Sequence, residues 1–360
     1  MQVLRRRPAR SRCCLRQVHS GDGGGRGGAA IAAGTREGIL GPPRHVLARA
    51  PLRVSLAGGG TDILPYAARF GGQVLSATIT EYVHTSIRRT TSPCGLDATS
   101  PFHIAHRLLD CPVDPHCRYT SHSGGLAGSG LGTSSASMVA VIAAVARWHN
   151  LTLPAATVAQ LAHRLERDEL GQAGGAQDHY AAAFGGINFI EFRGTSDVTV
   201  TPVRVPRPVL NRLEASLLLC DTGTRRDSGR VLERQLSAVK EDDPASLEPL
   251  HRIRGLAAPM RAALLNGDLP TVAQLMSQGW REKEKLMRIP QPAVQRLLGI
   301  GAGAGALAGR LLGAGGGGFL LFVTWPGQVP ELARALTAAG GRVRRVRFAT
   351  GGVSVTLRTA

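Results

Sequence analysis

The sequence predicts an α+β fold, and three observations predict it. At 360 residues and 43% hydrophobic content the chain can bury a sizeable core, as two domains or one large one. Strand-like segments rich in Val, Ile and Thr interleave with helix-like segments without a regular βαβα repeat. A glycine-rich loop also runs straight into an apolar segment with helical spacing.

Residues 1–46 combine arginine clusters with the run Gly21 to Gly28 and carry no apolar periodicity, so they are expected to form a disordered extension. Order is expected from about Val46, where Ala48 to Leu56 reads as a strand entering Gly58-Gly59-Gly60-Thr61-Asp62. Val74 to Ile87 suggests one or two strands, and the stretch to about Ser123 has no clear pattern. From Ser134 to His149 the apolar residues Met138, Val141, Ile142, Val145 and Trp148 recur at helical spacing. Pro154 to Leu170 reads as a second helix, stopped by Gly171. Strands punctuated by Gly and Pro fill 185–206. A helical region follows from Ser228 to Met287, and a glycine-rich segment then feeds a strand from Phe319 to Thr324.

The formal charge is +18, of which residues 1–47, with nine arginines against Asp22 and Glu37, hold +7. Only three basic residues are lysines (Lys240, Lys283 and Lys285), a bias that points to a GC-rich genome as one source of the charge. Aromatic residues make up 4%, and no recognised reading motif accompanies the basic arm, so nucleic-acid binding is a minor alternative and no nucleic-acid partner is expected. No apolar run approaches the roughly 20 residues of a membrane helix, so no membrane partner is expected. The six cysteines lack a CxxC pair and are expected to be reduced thiols in a cytoplasm. The oligomeric state is open, and a homodimer is compatible with the sequence.

The segment Gly124-Gly125-Leu126-Ala127-Gly128-Ser129-Gly130-Leu131-Gly132-Thr133-Ser134-Ser135-Ala136 immediately precedes the first long helix. Glycines let backbone N–H groups approach phosphate oxygens, and a helix start adds unpaired donors and the positive end of its dipole. It lacks the Gly-Lys-Ser/Thr ending of a Walker loop and the strand-first context of a dinucleotide site.

Three segments together, Ala50 to Asp62, this loop, and Gly305 to Phe319, resemble the three motifs of the galactokinase, homoserine kinase, mevalonate kinase and phosphomevalonate kinase (GHMP) superfamily. Leu165-Glu166-Arg167-Asp168-Glu169-Leu170-Gly171, Gly174-Gly175-Ala176-Gln177-Asp178-His179-Tyr180 and Phe184 to Phe189 resemble its D-glycero-D-manno-heptose 7-phosphate kinase branch. The resemblance implies an N-terminal α+β domain over 47–206 and a ferredoxin-like α+β domain over 207–360, with ATP and acceptor between them. Three positions depart from the branch: Arg310 stands in place of Lys, Thr133 in place of Gly or Ser, and His179 in place of Gln.

The same resemblance implies roles. Asp178 would be the catalytic carboxylate and Arg53 the cation beside it. Gly128, Gly130, Leu131, Gly132, Thr133, Ser134 and Ser135 would cradle the ATP phosphates, with Gly315 and Gly316 bordering them from the second domain. Ser134 and Glu166 would hold Mg2+, with Asp168 and Glu169 as alternatives to the glutamate. Asp62, with Gly60 and Thr61, would grip sugar hydroxyls. An acceptor that already carries phosphate needs a second anion pocket, for which Arg225, Arg281 and Lys283 are candidates. The implied reaction makes a 1,7-bisphosphate from a heptose 7-phosphate or a similar octose 7-phosphate, and the alternative acceptor is an unphosphorylated sugar such as fucose.

Overall fold

The strand that opens the fold is set by alternation. In β2, His45–Ala57, the residues Val46, Ala48, Ala50, Leu52 and Val54 are fully buried. In this computed structural model the described residues are 35–36, 43–194, 197–225, 237, 239, 243–287 and 292–358.

β2 pairs antiparallel along most of its length with β3, Gly72–Arg89, and the register shifts between Pro51 and Leu52. Proline cannot donate to a ladder and is tolerated at such a bulge. β3 is long enough to hold two partners on its other edge: β6, Ile187–Arg193, along its first third and β4, Cys117–His122, along its last. β7, Asp197–Pro202, extends the sheet beyond β6. A two-residue strand, β1 at Thr35–Arg36, pairs with β5 at Leu151–Thr152.

Helix α3, Thr133–Trp148, packs on β2 and β3 and is buried on nearly every side; Ala136, Ala140, Ala143, Ala144 and Ala146 allow that close approach. Beside it lie α4, Ala155–Arg164, and α5, Gln177–Phe184. The unpatterned stretch before Ser123 contains α2, Pro101–Leu108, started by Pro101 and capped by the Ser100 side chain. At eight residues it is shorter than the window over which a helical period can be read from sequence.

A second antiparallel sheet has the order β11-β8-β10-β9, formed by Arg342–Arg345, Leu217–Arg225, Gly317–Val323 and Ala308–Leu311. α6, Arg207–Ser216, leads into it, and between its strands run α7, Pro244–Gly255, α8, Ala257–Asn266, α9, Leu269–Met287, α10, Pro292–Gly303, and α11, Val329–Ala338. The chain is a two-domain α+β fold, as its composition of elements implies.

The structure crosses the expected boundaries in three places. The chain joins the first sheet at His45, inside the segment expected to be disordered, and Thr35–Arg36 are also paired; the rest of that extension lies outside the described residues. Most of 226–242, the start of the expected helical region, also lies outside them. The final strand, β12 at Ser354–Arg358, leaves the second half and pairs with β2. The division at 206/207 also cuts a continuous core, because Met260, Leu264, Val272 and Met276 pack in the same cluster as Val54 and Val139. A separate cluster around Leu218, Leu320 and Phe322 packs the second sheet against α9, α10 and α11 through Trp280, Leu297 and Leu332.

Candidate active site

The bulge at Pro51 delivers Arg53 to the end of β2 that faces the glycine loop. Its backbone N–H donates to Leu131 O at 2.9 Å, and its side chain is buried. The guanidinium grips Asp178 with both arms, Nε to Oδ1 and Nη2 to Oδ2 at 2.5 Å each, while Nη1 donates to Gly130 O at 2.7 Å. Such a planar fork fixes the carboxylate in position and orientation. Asp178 is the second residue of α5, so the positive end of that helix also faces it.

The loop before α3 is built from left-handed glycines. Gly130 and Gly132 both have φ +78°, and a Cβ on Gly132 would lie 3.2 Å from Asp178 Oδ2. Thr133 braces the loop from inside, donating to Leu126 O at 2.8 Å and contacting Ser129 Oγ at 3.1 Å. Leu131 is buried and serves the loop through its backbone. Ser134 is exposed at the helix start and donates to Gln172 Oε1 at 3.3 Å; Ser135 is turned inward and donates to Glu166 Oε2 at 2.7 Å.

Glu166 is buried: four residues after Ala162, it continues the inward face of α4 into the π-turn Leu165–Glu169. His179 Nε2 lies 2.7 Å and Arg167 Nη2 3.2 Å from its Oε2. Burial pushes its carboxyl up, but His179 and Arg167 outweigh that and hold it at about 2. Glu169 instead ion-pairs with Arg107 at 2.5 Å on the outer face. Of Glu166, Asp168 and Glu169, Glu166 lines the cavity described below.

Asp62 is buried, and its carboxylate accepts from Gly60 N at 3.0 Å, Gln177 N at 3.0 Å and Gln177 Nε2 at 2.9 Å. This ties the Gly58–Asp62 loop to the start of α5. Thr61 is a correction to the expected sugar contacts, because its hydroxyl donates to Gly58 O at 2.8 Å and it is buried away from the cavity.

A cavity of about 600 Å³ joins these parts. Its walls include Arg53, Gly60, Asp62, Gly128, Gly130, Gly132, Thr133, Ser134, Ser135, Glu166 and Asp178 from the first half of the chain, and Lys283, Arg310, Gly313 and Ala314 from the second. Gly315 and Gly316 are a second correction. Gly313 packs against Gly130, and Phe319 N donates to Ser129 O at 2.9 Å; the turn so pinned presents Gly313 and Ala314 and buries the next two glycines behind them.

Of the candidates for a second anion pocket, Lys283 lines the cavity and Arg281 does not. Lys283, on α9, is buried and donates to Gly313 O. Burial pushes its ammonium down to about 7; Arg310 and Arg53 push the same way, against Asp62 and Asp178. Arg281 lies on the exposed face of the same helix, outside the cavity walls. The side chain of Arg225 lies outside the described residues.

Sequence reasoning missed three contributors. Arg310 was visible as a departure, a charged residue in the otherwise apolar strand β9, yet it faces the cavity. Arg167 donates to Gln172 O, Ala173 O and Gly175 O at 3.0 to 3.2 Å and so clamps the loop leading to Asp178. Gln177 couples that loop to Asp62, and nothing in its sequence position signalled this.

An acidic group locked to a cation beside a glycine phosphate loop is the equipment of a small-molecule kinase. The chain matches the N-terminal domain of the GHMP kinases over residues 102–186 and their C-terminal domain over 260–342, and it belongs to that family as a phosphotransferase. It is 35% identical over 335 residues to the D-glycero-alpha-D-manno-heptose 7-phosphate kinase of Campylobacter jejuni, covering 86% of this chain and 98% of that one. It is 29% identical over 317 residues to the bifunctional fucokinase/GDP-fucose pyrophosphorylase of Arabidopsis thaliana, of which it spans 30%. Among solved structures, a D-glycero-D-manno-heptose 1-phosphate kinase from Bacteroides thetaiotaomicron superposes with TM-score 0.72 at 31% identity, over 88% of this chain and all of that one. The galactokinase of Lactococcus lactis superposes with TM-score 0.69 at 17% identity, which shows the shared fold.

Proposed function

We propose that this kinase uses ATP and Mg2+ to phosphorylate the anomeric hydroxyl of a heptose 7-phosphate, or a similar octose 7-phosphate, giving a 1,7-bisphosphate. The observation that carries the reading is the Arg53–Asp178 pair, which lies between the phosphate loop and the Asp62 loop in one cavity. The identity to a relative named as a heptose 7-phosphate kinase supports the choice of sugar.

In this reading the phosphate loop, Gly128 to Ser135, holds the ATP phosphates through backbone N–H groups and the start of α3. Asp178, oriented by Arg53, takes the proton of the acceptor hydroxyl as its oxygen bonds to the γ-phosphorus. The bond to the ADP oxygen breaks, and its electron pair leaves with ADP. Asp62 and the Gly60 backbone orient the sugar hydroxyls, which lowers the entropy lost in reaching the transition state. Ser134 and Glu166 would hold the magnesium. A hydroxyl and an ionised carboxylate on one wall suit a cation that keeps most of its water, and among the described residues no group of three or more His, Cys, Asp or Glu forms a closed metal cage. When bound, the metal would neutralise charge on the phosphates.

The names of the relatives differ in which carbon already carries phosphate, so the product's structure decides the reading. ATP consumption should be followed with heptose 7-phosphate, an octose 7-phosphate, heptose 1-phosphate and free hexoses including fucose, with phosphorus NMR of the product. The expected result is turnover of the 7-phosphate with new phosphate on the anomeric carbon. Equal or better turnover of a free hexose would overturn the choice of acceptor.

A further inference from the structure

Arg310 and Lys283 are unusual in being buried cations with little to neutralise them. They are 4% and 6% exposed. Arg310 Nη1 reaches Leu56 O at 3.3 Å, and among the described residues its Nε has no hydrogen-bond partner. Lys283 donates to the carbonyl of Gly313, which carries no net charge. The two carboxylates nearby are already engaged, Asp178 by both arms of Arg53 and Asp62 by Gln177 and the Gly60 amide. Arg53, Arg310 and the Lys283 ammonium thus gather around two committed anions, and a bound anion would both complete the buried charge and hold Lys283 in its protonated form.

Their position indicates which anion. Both line the main cavity together with Arg53 and Asp178, and Lys283 grips the glycine that packs against Gly130 of the phosphate loop. That is where the two glycine loops meet, beside the carboxylate assigned to the acceptor hydroxyl. A pocket for a phosphate at the far end of a sugar would lie away from this junction.

We propose that Arg310 and Lys283 clamp the non-bridging oxygens of the phosphoryl group as it passes from ATP to the acceptor, and that Lys283 does not recognise a phosphate already on the acceptor. The proposal rests on the kinase reading above. The cations take no proton and form no bond. The acceptor oxygen bonds to phosphorus, the bond to ADP breaks with its electron pair, and Asp178 receives the hydroxyl proton. Burial also explains why the clamp works, since fixed cations largely shielded from solvent act strongly on charge that spreads over the transferring oxygens.

Arg310→Gln, Arg310→Lys and Lys283→Met should be compared with the unaltered protein by thermal melting, by steady-state kinetics with 7-phosphorylated and dephosphorylated acceptor, and by calorimetric binding of ADP with aluminium fluoride. Arg310→Gln and Lys283→Met are expected to lower kcat about 100-fold or more, by the same factor for both acceptors. KM for either acceptor should change less than about threefold. Binding of ADP with aluminium fluoride should weaken while ATP affinity holds, and Arg310→Lys should recover at least about tenfold of the lost kcat. A loss confined to the phosphorylated acceptor, or unchanged kcat in a folded Arg310→Gln, overturns the clamp. Should Lys283→Met fail to fold, the two Arg310 variants still decide it. An unaltered protein that turns over no sugar with ATP would instead defeat the kinase reading itself.

Discussion

At the scale of single residues, Asp178 and Arg53 act as a unit, so charge and geometry can be separated by a small change. Asp178→Asn keeps the shape and one acceptor oxygen for Arg53 but removes the base. ATP binding should persist, while turnover falls by roughly 100-fold or more; near-normal turnover would remove the assignment. The buried groups around Glu166 make a second prediction, on pH. Glu166 has its folded pKa held at about 2, below the ordinary 4.5, so its contribution to stability is present above pH 4.5 and lost as pH falls from there toward 2. His163 is pushed down to about 3, chiefly by burial and then by His179 and Arg167. Its protonation therefore favours the unfolded chain, and stability falls as pH drops from 6.5 toward 3. Urea midpoints measured across this range should decline from near pH 6.5. His163→Leu should flatten the upper part of the decline and Glu166→Gln the lower part, and two unchanged profiles would refute the account.

At the scale of elements, the site depends on two loops that touch through their backbones. A Cβ on Gly130 would lie 2.7 Å from Leu312 O, at a φ of +78° that side chains rarely adopt. Gly130→Ala should therefore part the loops. The expected cost is about 1–3 kcal/mol of stability, read by chemical denaturation, together with a loss of turnover larger than this instability explains. A stable and fully active variant would show that the contact is incidental.

At the scale of the whole molecule, the two halves are not independent. β12 closes the free edge of β2, and α8 and α9 pack into the core beneath β2 and β3. A fragment ending at Pro206 would expose that edge and the apolar patch under Met260 and Val272. It is expected to lack a cooperative thermal transition, and adding residues 207–360 as a separate chain should restore one. A fragment that melts sharply by itself would show that the first half is autonomous.

The sequence by itself determined the reaction class and much of the local structure. The strand into Gly58–Asp62, the helix from Ser134 and the strand from Phe319 were legible because alternation, helical spacing and glycine runs are properties of neighbouring residues. The roles proposed for Asp178 and Arg53 rest on resemblance in short contiguous stretches. Tertiary structure alone decided what depends on residues far apart in the chain. It turned Thr61 inward to Gly58 O, buried Gly315 and Gly316 behind the turn, left Arg281 on the outer face of α9 and brought Arg310 to the cavity wall. It also returned the last strand to the first sheet. Each of these outcomes is set by packing and hydrogen bonding between segments tens to hundreds of residues apart, which no local period encodes.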